Sequence, residues 1–178
     1  MPSVFPTLDE IIAAYFRFHL EVGWVAENPQ IKQYGANSKM IFDNVYINDL
    51  NWYFSDCWSS FGDYSCGTAR IEVQNCPVLL MQYGGPYSEE AIPCVKAALR
   101  DAYENGRWYG GRGRHGFTTV EDKSGLIVYY NEFKTLLCTR GMTDTYQIQG
   151  NERVECTNPP KLLGFHAYQI LAVAHTEQ

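Results

Sequence analysis

The chain has 178 residues, 46% of them hydrophobic and 19% charged, with 20 acidic against 14 basic residues for a formal charge of −6. A core-forming apolar share with few charges excludes a disordered or fibrous chain, and the negative balance disfavours a nucleic-acid backbone as partner. No apolar run approaches the ~18 residues of a bilayer-spanning helix, and Met1-Pro2-Ser3-Val4-Phe5-Pro6 lacks the basic and then apolar stretch of an export signal. A soluble, cytoplasmic protein with no membrane partner is expected.

The first element is a helix. Thr7-Leu8-Asp9-Glu10 is a capping box, and Leu8, Ile11, Ile12, Tyr15 and Phe16 follow at helical spacing. Gly23 is placed to end the helix in a left-handed conformation. The period then shortens, predicting strands around Met40–Tyr46, Ala69–Val73 and Pro77–Tyr83. A second helix carries Ile92, Val95, Leu99, Ala102 and Tyr103 on one face, with Pro93 in its first turn and Gly106 at its end. Strands over Phe117–Glu121 and Gly125–Asn131 flank the turn Asp122-Lys123-Ser124-Gly125, and Tyr146–Gln149, Glu152–Cys156 and Leu162–Leu171 complete the set.

The chain matches itself at an offset of 83 residues. Ten of 36 positions agree between 45–80 and 128–163, among them Tyr46/Tyr129, Gly67/Gly150, Arg70/Arg153, Glu72/Glu155 and Pro77/Pro160. Four of 14 agree between 11–24 and 94–107. The expected fold is therefore α+β: a single domain over 1–178 made of two pseudo-repeats, about 8–83 and 91–171. Each is an αβββ unit, and the pair forms a curved antiparallel sheet with two helices packed on one face and a hollow at the seam.

Cys57, Cys66, Cys76, Cys94, Cys138 and Cys156 include no C-x-x-C pair, and the four histidines show no H-x-x-x-H spacing. No metal and no cofactor is expected, and the thiols are read as reduced and mostly buried. Aromatic residues reach 15%, with local density at Trp52-Tyr53-Phe54 and Trp58, material for the wall of a small-molecule pocket. Gly106 to Gly116 holds Arg107, Arg112 and Arg114 among glycines. It reads as a solvated connection or an anion-contacting flap. Its Gly111-x-Gly113-x-x-Gly116 spacing follows a helix and precedes a strand, the reverse of the dinucleotide-binding context.

Glu152 is placed on the sheet face opposite Arg153, where burial would suit it to acid–base work. His115, beside Arg114, is the other acid–base candidate. His19 falls on the apolar side of the first helix as a core histidine, and Arg70/Glu72 and Arg153/Glu155 read as one structural ion pair occurring twice.

Tyr46-Ile47-Asn48-Asp49, Gly67 to Ile71, Pro77 to Gly85, Arg112-Gly113-Arg114, Tyr129-Tyr130-Asn131 and Gly150-Asn151-Glu152-Arg153-Val154 follow one another in an order that resembles an uncharacterised bacterial domain family. That family has duplicated G-x-E-x-V and Y-x-G-G motifs and is sometimes fused to helix-turn-helix regulators. Ala69, Leu79 and Arg114 depart from its Glu, Trp and Pro. The resemblance implies a stand-alone sensor or accessory domain and supplies no reaction.

Three functions follow. The first is a small-molecule-binding protein whose contacts are Tyr46, Trp52, Tyr83, Tyr129, Arg112 and Arg114. The second is an enzyme, a hydrolase, isomerase or cyclase, using Glu152 or His115. The third is an interaction module that homodimerises through an exposed sheet face or edge.

Overall fold

The computed structural model describes residues 5–121 and 125–175, so the turn expected at 122–124 lies outside the described residues. Along the chain run α1 (Leu8–Glu21), β1 (Lys32–Tyr34), β2 (Asn37–Ile47), β3 (Leu50–Phe61), β4 (Tyr64–Val73) and β5 (Cys76–Pro86). After them come α2 (Ile92–Glu104), β6 (Phe117–Glu121), β7 (Gly125–Arg140), β8 (Thr143–Thr157) and β9 (Pro160–His175). All strands join one nine-stranded sheet in the order β1-β2-β3-β4-β5-β9-β8-β7-β6, antiparallel at every step. The protein is α+β. Among the described residues no helix is long and apolar enough to cross a membrane.

α1 starts as its sequence dictates. The Glu10 amide donates to Thr7 Oγ1 at 3.2 Å and the Thr7 amide to Glu10 Oε2 at 2.9 Å, closing the capping box. Its end differs from expectation. Gly106 after α2 does take the left-handed conformation, φ 61°, whereas Gly23 keeps a negative φ and is needed for space. A Cβ at Gly23 would come within 2.6 Å of the His19 backbone. Two hairpins turn on residue pairs with positive φ, Asn48-Asp49 and Gln74-Asn75, which give the tight two-residue turn that matches strand twist.

The strand inventory is richer than expected. β3 was not anticipated as a strand, because Ser55 and Asp56 interrupt its apolar run and the Asn48-Asp49 turn lacks glycine. The segments expected at 146–149 and 152–156 are one strand, β8, continuing through Gly150. Five strands follow α1 and four follow α2, rather than three each.

Phe54, Ile71, Met81, Ile170 and Ile148 pack with Ile11, Tyr15 and Phe18 of α1 and Val95 and Leu99 of α2 in a single apolar core. Tyr15 of α1 reaches Met81 of β5, and Ala98 of α2 lies beside Gly113 and the Tyr129 ring.

The strand registers recur. Phe42 opposes Phe54 as Phe117 opposes Tyr129, 75 positions further on. Gly67 stands between Trp58 and Tyr83, and Gly150 between Phe133 and Tyr168. A bulge follows Ile71 in the β4–β5 pairing and Val154 in the β8–β9 pairing, 83 positions further on. At the centre, where β5 meets β9, Tyr83 pairs with Tyr168 itself, 85 positions apart. Neither tyrosine ring would fit over a neighbour larger than glycine, since a Cβ at Gly67 or Gly150 would run into it. The ion pairs Arg70–Glu72 at 2.5 Å and Arg153–Glu155 at 3.0 Å recur likewise.

Candidate functional site

A cavity of about 210 Å³ lies against β3, β4 and β5, bounded by side chains of both helices. Its apolar wall is made by Tyr15, Trp58, Met81, Tyr83 and Tyr103, and exposed Gly62, Asp63 and Tyr64 of the β3–β4 turn form its rim. Among the described residues beyond α2, only Arg112 and His166 reach it. Met81 and Tyr83 of β5 and His166 of β9, the two strands that meet at the centre of the sheet, are among its lining. Its volume falls below the ~300–1,000 Å³ of sites for drug-sized ligands, which sets the scale of an occupant.

Asp56 is the polar centre of that wall. Strand alternation turns it to the inner face with Phe54 and Trp58, opposite Ala69, and leaves it 5% exposed. Oδ1 accepts the Tyr83 hydroxyl at 2.8 Å, while Oδ2 has no hydrogen-bond partner among the described residues. Burial pushes the carboxyl up to about 6, against the pull of Tyr83 and of the Arg112 charge. His19 packs its ring 4.3 Å from that of Tyr15 and leaves Nε2 unpartnered. Burial, helped by Arg112, lowers its pKa to about 3, so the ring is neutral. Burial first and Arg112 second also keep His166 neutral, at about 4; its ring stacks 4.1 Å from that of Tyr87.

Next to the cavity a buried ion pair is locked in place. The loop after α2 folds inward instead of standing in solvent. The Tyr15 and Tyr103 hydroxyls each donate to the Gly111 carbonyl at 2.9 Å, and Asn131 Nδ2 donates to the carbonyls of Tyr109 at 2.9 Å and Gly113 at 3.0 Å. Arg112 Nε donates to Glu152 Oε2 at 2.7 Å, and Nη2 makes a second contact to the same oxygen. Glu152 Oε1 accepts the Tyr129 hydroxyl, whose oxygen in turn accepts the Gly113 amide at 3.1 Å. Burial and the Glu152 charge hold the Tyr129 hydroxyl well above its ordinary pKa. Both carboxylate oxygens are thus occupied, and Glu152 is 1% exposed with no part in the cavity wall.

The structure brings Tyr83, Arg112, Tyr129 and Glu152 together. The other candidates stand apart. Tyr46 is 70% exposed on β2, and Trp52 is a core residue whose Nε1 donates to the Ile47 carbonyl at 3.3 Å. Arg114 is exposed. His115 is exposed too, its Nδ1 2.9 Å from the Asn131 carbonyl oxygen. Asp56, His19, Tyr15 and Tyr103 were not foreseen as site residues. The available signal was Asp56 itself, a carboxylate within the apolar run Trp52–Trp58.

Of the cysteines, Cys94 and Cys156 are buried but Cys57, Cys66 and Cys138 are exposed. Cys57 lies out of phase with inward-facing Asp56, which puts it on the open face.

Compared with protein-family models, curated proteins and solved structures, the chain matches none.

Proposed function

We propose that this protein binds a small, partly aromatic molecule in the cavity beneath β3–β5. One observation carries the reading: an aromatic-walled hollow contains a buried carboxylate with an unused oxygen and, nearby, an unpartnered histidine nitrogen. Of the two, His19 Nε2 is the fully buried atom without a partner, at a cost of about 1–3 kcal/mol that a bound molecule offsets. Arg112 and Glu152 occupy each other, and among the described residues the other titratable carboxylates and imidazoles lining the cavity are Asp56, Asp63, His19 and His166.

The frame around the cavity arose, in this reading, by tandem duplication of one helix-and-strands unit, with both helices covering the same sheet face. The recurring registers support it, with Phe54, Asp56, Ala69 and Tyr83 standing where Tyr129, Asn131, Glu152 and Tyr168 stand in the other half. The offset is not constant because the hairpins differ in length: Trp58 and Gly67 pair across 9 positions, whereas Phe133 and Gly150 pair across 17. Tyr46 and Tyr129, partners at 83 residues in sequence, are not equivalents in register.

The test is thermal denaturation with benzylamine, benzyl alcohol and phenol at millimolar concentration. At least one probe should raise the melting temperature, since at 100-fold excess over Kd a ligand adds ~2.7 kcal/mol of stability. Ala69→Leu, which fills the cavity wall, should abolish the response. Absence of a shift with every probe overturns the proposal.

A further inference from the structure

We infer that the cavity takes a positively charged hydrogen-bond donor, a small primary amine or amidine on an apolar or aromatic body, held by the free oxygen of Asp56. The inference rests on the small-molecule reading above and names the ligand class.

The molecule contains its own comparison. Asp56 in β3 and Asn131 in β7 occupy corresponding register positions, each two residues after a buried inner-face aromatic, Phe54 or Tyr129. Each uses Oδ1 to accept a hydroxyl from the central pair of strands, Tyr83 on Asp56 and Tyr168 on Asn131, both at 2.8 Å. The remaining polar atom differs. In Asn131 it is a donor, Nδ2, and it meets acceptors: the carbonyls of Tyr109 and Gly113 in the inserted loop. The second half thus fills the corresponding place with its own backbone. In Asp56 the remaining atom is an oxygen, which only accepts, and it faces a cavity instead of a loop. Exchanging amide nitrogen for carboxylate oxygen inverts the demand on the occupant. An acceptor suits Asn131; a donor suits Asp56.

Charge agrees with this. Of the charged groups on the wall, Arg112 is compensated by Glu152, and His19 and His166 are neutral, which leaves Asp56 and Asp63 at the rim. Tyr15, Trp58 and Tyr83 put aromatic rings on the wall, and aromatic rings attract an ammonium or amidinium. Among the described lining residues, an anion would meet the Asp56 carboxylate with no cation free of a carboxylate partner opposite it.

Isothermal titration at pH 7.5 with three probes of nearly equal shape, benzylamine, benzyl alcohol and benzoate, tests the assignment. Benzylamine should bind at least tenfold more tightly than benzyl alcohol, with benzoate the weakest. Asp56→Asn should bring the amine down to the level of the alcohol and leave the alcohol unchanged. If that variant does not fold, the ranking on the wild-type protein decides alone. Benzyl alcohol or benzoate binding as tightly as the amine overturns the donor assignment while the cavity reading stands. If none of the three binds or shifts the melting temperature, the cavity reading itself falls, and this inference with it.

Discussion

Glu152 and Arg112 illustrate how much one buried charge depends on its partner. A buried ion pair adds little net stability over an apolar pair, yet removing one member strands the other in the core at about 3–5 kcal/mol. Glu152→Gln should therefore lower the melting temperature by on the order of 10 °C, read by circular dichroism. An unchanged melting temperature would show that the pair does not hold the loop. At Asp56 the opposite holds: its carboxylate is only half-satisfied, so Asp56→Asn should leave stability unchanged or raise it slightly in the absence of ligand.

Individual elements depend on small residues at points of close approach. The hydroxyl ends of the Tyr83 and Tyr168 rings lie over Gly67 and Gly150, and a methyl group at either glycine would displace them. Gly150→Ala should cost about 1–3 kcal/mol in urea unfolding by overpacking, and it should also disturb the Tyr168–Asn131 bond that steadies the inserted loop. Gly35→Ala, at an exposed turn with open space around the missing Cβ, pays only the strain of its positive φ and is the milder change. Equal costs at the two sites would argue against crowding as the mechanism.

Across the whole molecule, three buried groups with displaced pKa values contribute to the response to acid. His19 and His166 titrate near 3 and 4 in the fold against 6.5 in an unfolded chain. Their contribution is intact above pH 6.5 and is lost as pH falls, because only the unfolded chain takes up the protons. Asp56 works the other way: it takes its proton near 6 in the fold and near 3.8 when unfolded, so acid favours the fold at that site. Two against one leaves a net loss between pH 6.5 and 4, on the order of 1 kcal/mol per pH unit where all three titrate. Urea midpoints at pH 7 and pH 5 should show the fall, and Asp56→Asn should steepen it. Hydrogen exchange adds a map: amides of β5 and β9, at the centre of the sheet, should exchange last, and those of exposed β1 first.

The sequence by itself determined what depends on neighbours along the chain. The capping box of α1, the apolar faces of both helices, the strand at Pro77–Tyr83 and the i, i+2 pairing of Arg70 with Glu72 all follow from local spacing. It also carried the 83-residue periodicity, since identity at matched positions needs no coordinates. Tertiary structure decided the rest. Whether Arg112 is solvated or buried depends on a carboxylate 40 residues away, and whether Tyr46 or Asp56 lines a cavity depends on strand register. The β7–β8 hairpin is longer than the β3–β4 hairpin, with Phe133 and Gly150 pairing across 17 positions against 9 for Trp58 and Gly67, so no constant sequence offset aligns the positions that recur in register. Asp56 enters the cavity wall only where β3 alternation, Tyr83 from β5 and side chains of the two helices come together.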